Sequence, residues 1–151
     1  MELFFFASNS LTNIWAGIGS SMWAVNETSP SDMKARITKS KRMKIGSAGV
    51  FYCKETQSFT TPFLVYSEPG ENQIIKHVWA GEWHLPFRIH ALGTPVKQMT
   101  SEIAKAEWAP LKGAGAGGVS AALNITGTTV FVPKEVTSDD WAYLLRQLAD
   151  F

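Results

Sequence analysis

The sequence has one cysteine, almost no net charge and no apolar run long enough to span a membrane. Cys53 lies in the apolar run Val50-Phe-Tyr-Cys53, so there is no disulfide framework and no thiolate zinc site. It reads as a small core hydrophobe. No run reaches the ~18–20 apolar residues of a membrane helix. The start, Met1-Glu-Leu-Phe-Phe-Phe6, lacks a basic n-region and turns polar at Ser8, which is not a signal-peptide pattern. These absences predict a soluble cytoplasmic protein with no membrane contact, in which the Asn-x-Thr sequons at Asn26 and Asn124 are chance matches. A net charge of +1 excludes a chain that binds nucleic acid through its overall field. With 151 residues, 45% of them apolar and 18% charged, one domain over residues 1–151 with a real core is expected.

Catalytic constellations are missing too. No Gly-x-Ser-x-Gly occurs, and no Ser, His and acid share a nucleophile context. His77, His84 and His90 have no shared helical spacing and no cysteine nearby, so no metal site is expected. Gly113-Ala-Gly-Ala-Gly-Gly118 matches G-x-G-x-x-G, but no clear strand precedes it and only a weak helix start follows. A dinucleotide site needs both, so the stretch reads as a flexible loop. Asp139 and Asp140 suit a helix N-terminus. The expectation is a non-enzymatic protein without a cofactor.

What the chain does have is aromatics, including six tryptophans, and one basic segment. Trp79 and Trp83 flank Ala80-Gly-Glu82 within Lys76–Phe87, a pattern that no core strand would show. Each indole can bury ~150–250 Å², so two on a glycine-hinged loop make either a lid over the core or the wall of a pocket for a flat ligand. Glu82, between them, is either a ligand contact or a solvated loop acid. Residues 34–54 hold Lys34, Arg36, Lys39, Lys41, Arg42, Lys44 and Lys54 with no acid, a local +7. Such a run is either a solvated face or a phosphate-binding surface. Aromatics beside cations suit a base taken out of its stack, since stacking contributes ~1–3 kcal/mol per base. A methyl enclosed by rings adds roughly 0.8 kcal/mol.

In chain order, strands are predicted at Leu3–Ala7, Ser21–Val25, Ala48–Cys53, Phe59–Ser67, Ile74–Trp79, Phe87–Leu92 and Thr128–Val132. Pro62 marks an edge or a bulge. A helical turn is predicted over Leu11–Ala16, capped by Ser10 and closed by Gly17 and Gly19. Further helices are predicted from about Asp32 to Ile37 behind Ser31, over Met99–Trp108, and after Ser138, where Trp141, Leu144, Leu145 and Leu148 form a core stripe. Strand follows strand too often for a Rossmann alternation, so the expected fold is α+β, a curled mixed or antiparallel barrel with helices outside.

Several of these pieces resemble the YTH domain, a PUA-like fold close to the EVE domain. They are Phe5-Phe-Ala-Ser-Asn9, Asn13, Met22-Trp-Ala24, Met43-Lys-Ile-Gly46 leading into Val50-Phe-Tyr52, and Val78-Trp79 through Trp83 to Phe87-Arg-Ile89. In that family a strand-end Asn is followed by a second Asn four residues on and a Trp ten residues later. Asn9, Asn13 and Trp23 keep those intervals. The resemblance implies a six-stranded mixed barrel and a cage around the methyl of N6-methyladenine. Trp23, Trp79 and Trp83 would be its walls, Asn9 and Asn13 would read base edges, and Ser8 and Ala24 would adjoin. Ala24 stands where the family often has Ser or Cys, leaving only a backbone contact. The segment 124–128, where relatives often carry cations, is uncharged. Lys34, Arg36, Lys41 and Arg42 are the phosphate candidates. The implied partner is methylated RNA or DNA, bound by a monomer that could act beside an effector or nuclease. The alternatives are an EVE-like reader of another base, such as a modified cytosine in DNA, an enzyme on a nucleotide-derived substrate using Glu82 or His84, and a structural domain with a tryptophan lid.

Overall fold

Leu3-Phe-Phe-Phe6 is apolar without alternation, as in a strand covered on both faces. The computed structural model, which describes residues 1–114, 118–125 and 129–150, places it in β1 (Glu2–Ser8), with all four side chains at most 2% exposed. Successive residues of a strand face opposite ways, and β1 divides its aromatics accordingly. Phe4 and Phe6 join Trp23, Phe51, Phe63 and Phe87 on one face. Leu3 and Phe5 join Val50, Phe59, Trp108 and Leu144 on the other.

β1 pairs in parallel with β3 (Ala48–Cys53) and briefly, antiparallel, with β8 (Lys134–Glu135). The sheet order is β2 (Met22–Asn26), β6 (Trp83–Ala91), β4 (Ser58–Val65), β3, β1, β8, with β5 (Ile74–Ile75) added to β6 and β7 (Gln98–Thr100) to β4. Among the described residues six strands have three or more residues, and β5 and β8 have two each. Phe6 on β1 meets Phe87 on β6 at 5.1 Å between ring centroids. In a flat sheet those strands would stand about 14 Å apart, three strand spacings, so the sheet curls over the face that carries Trp23. The fold is an α+β curled half-barrel.

Pro62 lies at a bulge. The β3–β4 register slips opposite Val50 and Phe51, and Thr61 adopts φ 53°. The first half of β4 pairs with β7 and the second half with β6, so the bulge turns the strand from one neighbour to the other. Helices α1 (Leu11–Ser20) and α2 (Pro30–Ser40) connect β1, β2 and β3. α3 (Ser101–Glu107), α4 (Gly118–Leu123) and α5 (Ser138–Leu148) contribute to the second core. No described helix is long and apolar enough to cross a membrane.

Several local expectations shift. α1 runs through both glycines to a left-handed Ser21 cap, because a helix with favourable packing tolerates Gly. α2 starts at Pro30 behind Ser29, since proline at the first helical position is already pre-set. α5 is capped by Thr137, whose hydroxyl accepts from Asp140 N–H while Asp140 accepts from Thr137 N–H, a reciprocal box that displaces Ser138. The Ile74–Trp79 strand shrinks to Ile74–Ile75, and Trp83 opens β6 rather than closing a loop. Of the expected Thr128–Val132 strand, residues 129–132 form a turn with Val132 N–H donating to Thr129 O and Phe131 at φ 69°. β-branched composition is a weak, context-dependent signal. Residues 115–117 of the glycine-rich stretch and 126–128 lie outside the described residues.

Gly49 carries a close approach. A Cβ there would run into the Phe63 ring, its cross-strand partner. Gly49→Ala is therefore expected to destabilise by about 1–3 kcal/mol through forced repacking. An unchanged urea midpoint would contradict this packing.

Candidate functional site

The site is built where β1 ends and α1 begins. Ser10 caps α1, its Oγ accepting from Asn13 N–H at 3.2 Å. The cap puts Asn9 just outside the helix and Asn13 in its first turn, so an interval of four brings both amides to one opening. Ser8 is buried and its hydroxyl is engaged with Ser10 O at 2.8 Å.

α1 lies tightly on Trp23. A Cβ on Gly17 would stand 2.8 Å from the Trp23 ring, so only glycine lets the helix approach this closely. Trp23 is 4% exposed and stacks obliquely on Phe51, 4.5 Å away. Trp79 meets Trp23 edge-on at 5.1 Å and donates from Nε1 to Asn13 O at 2.9 Å. Trp83, partly exposed, lies 5.4 Å from Trp79, and its Nε1 donates to Ala80 O. The three indoles therefore form one chain of contacts, with Trp79 as the middle link.

A cavity of about 260 Å³ opens beside them. Trp23 and Trp83 line it, with Ser8, Asn9, Asn13 and Ala24. Trp79 is 5% exposed and stands behind its two neighbours, outside the lining. Ala24 falls where the β2–β6 register slips between Trp23 and Val25, so it has no partner in register.

Two cations reach this cavity. Arg36 of α2 is 8% exposed and donates from Nη1 to Asn26 O at 2.9 Å, while its Nε has no hydrogen-bond partner. Burial lowers the Arg36 pKa, and nearby Asp32 opposes that shift. Lys54 lies just past β3, and parallel pairing brings it beside the end of β1, where its N–H donates to Ser8 O at 2.8 Å. Lys54 belongs to the basic segment 34–54, but nothing in the sequence places it here. Only the parallel pairing could have located it. Asn26, Ile125 and Val130 also line the cavity and carried no sequence signal.

The other expected phosphate contacts lie elsewhere. Lys34 and Lys41 are exposed and do not line the cavity. Lys41 borders a separate groove with Lys44 and Glu68. Arg42 holds Glu2 at 2.7 Å, which raises its pKa, and Glu2 stands at the opposite end of β1 from the site, roughly 20 Å away at strand rise. Glu82 is paired with Lys76 at 3.2 Å, and neither it nor His84 lines the cavity.

The fold and the site are a curled sheet with an aromatic-walled, cation-edged cavity at a strand end. No family model matches the sequence, and no curated protein matches it significantly. Solved structures do match. The YTH domain of Zygosaccharomyces rouxii MRB1, in complex with N6-methyladenosine RNA, is similar over 96% of this chain and 84% of its own, at TM-score 0.61 and 13% identity. The apo YTH domain of Toxoplasma CPSF4 is similar over 99% and 88%, at TM-score 0.60 and 14% identity. The Pho92 YTH domain, in complex with m6A, is similar over 96% and 84%, at TM-score 0.58 and 11% identity. The chain has the fold of the YTH domain.

The tryptophans separate by burial. Trp23→Ala removes a core ring and is expected to cost about 3–5 kcal/mol. Trp83→Ala, at a partly exposed ring, is expected to cost about 1 kcal/mol, the centre of point-mutant effects. Equal losses in chemical unfolding would contradict these placements.

Proposed function

We propose that this chain is a non-enzymatic reader of N6-methyladenine, primarily in RNA. The observation that supports this reading most is one cavity lined by two indoles, three asparagines and two cations. Its volume of about 260 Å³ is close to the lower end of small-ligand sites, ~300–1,000 Å³, and suits a single base rather than a peptide. Indole faces favour a flat ring, and removing a methyl from water adds roughly 0.8 kcal/mol. Amides offer both donors and acceptors to base edges. The similar MRB1 and Pho92 domains were solved with N6-methyladenosine RNA and m6A.

In this reading Trp23 and Trp83 enclose the base and Trp79 completes the cage from behind. Asn9 and Asn13 set base identity, while Ser8 and the Ala24 backbone shape the floor. Arg36 and Lys54 take the backbone phosphate at the mouth, with Lys34 and Lys41 extending the positive surface. Arg42 contributes only after leaving Glu2. The chain works as a cytoplasmic monomer that marks nucleic acid for an effector or nuclease partner, within the PUA-like group that includes EVE domains.

One observation favours a second reading, an EVE-like reader of a modified cytosine. A buried guanidinium donates well to a carbonyl oxygen, which cytosine has and adenine lacks.

Base contacts specify and phosphate contacts position, so two variants separate the roles. In calorimetry with short methylated and unmethylated RNA oligomers, Trp83→Ala is expected to erase the methyl preference. Lys54→Ala is expected to weaken both ligands alike and reduce the salt slope by about one. If Trp83→Ala keeps the methyl preference, the cage assignment fails.

A further inference from the structure

A second cluster stands outside the cavity on the same strand ends. Glu27 follows the last residue of β2, Glu82 precedes β6, and His84 is the second residue of β6. The antiparallel ladder sets Val25 opposite His84 and Asn26 opposite Trp83, so one further step brings Glu27 to Glu82. A carboxylate oxygen from each glutamate and a ring nitrogen of His84 lie within 4.8 Å of one another, the one such group among the described residues. His84 is partly buried, and its Nε2 is shielded from solvent and has no hydrogen-bond partner. A buried ring nitrogen without a partner is a cost that a ligand would remove.

We infer that Glu27, Glu82 and His84 form a binding site for a divalent transition-metal ion of the Zn²⁺ or Mn²⁺ class. Two carboxylates supply the charge, and an imidazole nitrogen favours these ions over Ca²⁺ and Mg²⁺, which take oxygen. Metal–donor bonds of ~2.0–2.2 Å set donors roughly 3–3.5 Å apart around one ion. The two glutamates are exposed, so changes of side-chain rotamer close the remaining gap without moving the strands. Lys76, 3.2 Å from Glu82, balances that carboxylate when no ion is bound and is itself exposed and free to leave. Water fills the other coordination positions. Sequence spacing hid the site because its donors come from two strands far apart in the chain.

Trp83 lies between two of the donors. An ion there ties the loop before β6 to the end of β2 and fixes one wall of the cavity. That consequence rests on the proposed function, whereas the metal site itself does not.

The test uses the full chain, stripped by a chelator and titrated calorimetrically with ZnCl₂ and, separately, MnCl₂, with no nucleic acid present. The expected result is saturable binding of one ion per chain, weakened by on the order of tenfold or more in both Glu27→Gln and His84→Gln. His77→Gln and His90→Gln are expected to bind as the parent does. Circular dichroism confirms that each variant is folded, and Glu27, being exposed, keeps the test valid if His84→Gln is not. No saturable binding at millimolar metal, equal affinity in the Glu27 variant, or loss in the His77 or His90 controls would overturn the site. Because no nucleic acid is used, this failure is distinguishable from failure of the reader assignment.

Discussion

The structure depends on the seating of one indole. Trp23 is held by Phe51 beneath it, by α1 across it and by Trp79 at its edge, and each contact belongs to a different part of the chain. Gly17 is what allows the helix in. The Trp79 Nε1 bond to Asn13 O then ties the loop before β6 to the same helix that carries Asn13. Buried Trp N–H groups need an acceptor, and a helix carbonyl supplies it here. The aromatic wall and the amide that faces it are thus one mechanical unit, and the core and the cavity share their central ring.

The electrostatics have the same economy. A run of seven cations would suggest a broad basic face, but only two of them reach the cavity. Arg36 is buried enough for desolvation to lower its pKa, and it keeps one nitrogen without a partner. A cation held dry beside an aromatic wall interacts more strongly with an incoming acceptor than a solvated one. Arg42, by contrast, is neutralised by Glu2, and Lys44 pairs with Glu68 at 3.5 Å. Charge position matters here more than charge count.

Much of this was legible in the residues, and what was not has physical reasons. The continuous apolar run of β1, the Ser10 cap and the Pro62 bulge follow from local chemistry. The intervals of Asn9, Asn13 and Trp23 pointed to a site only through the resemblance to the YTH domain, and all three line the cavity. Long-range pairing was not legible. Lys54 reaches the site only because β3 runs parallel to β1. Residues 129–132 have the composition of a strand, but a tight turn seats Phe131 in the core instead. Gly17 read as a helix stop because its partner, the Trp23 ring, is invisible until the helix is packed.

In the proposed reading the cavity distinguishes a methylated adenine from a plain one. The most direct measurement is the intrinsic tryptophan fluorescence of the unmodified chain, titrated with otherwise identical RNA oligomers bearing N6-methyladenosine, adenosine or 5-methylcytidine. Enclosing the methyl with both rings in place predicts saturable quenching by the N6-methyladenosine oligomer and affinity about fourfold weaker for adenosine, which corresponds to the roughly 0.8 kcal/mol of one buried methyl. Equal affinity for methylated and plain adenosine, or tighter binding of the 5-methylcytidine oligomer, would contradict it.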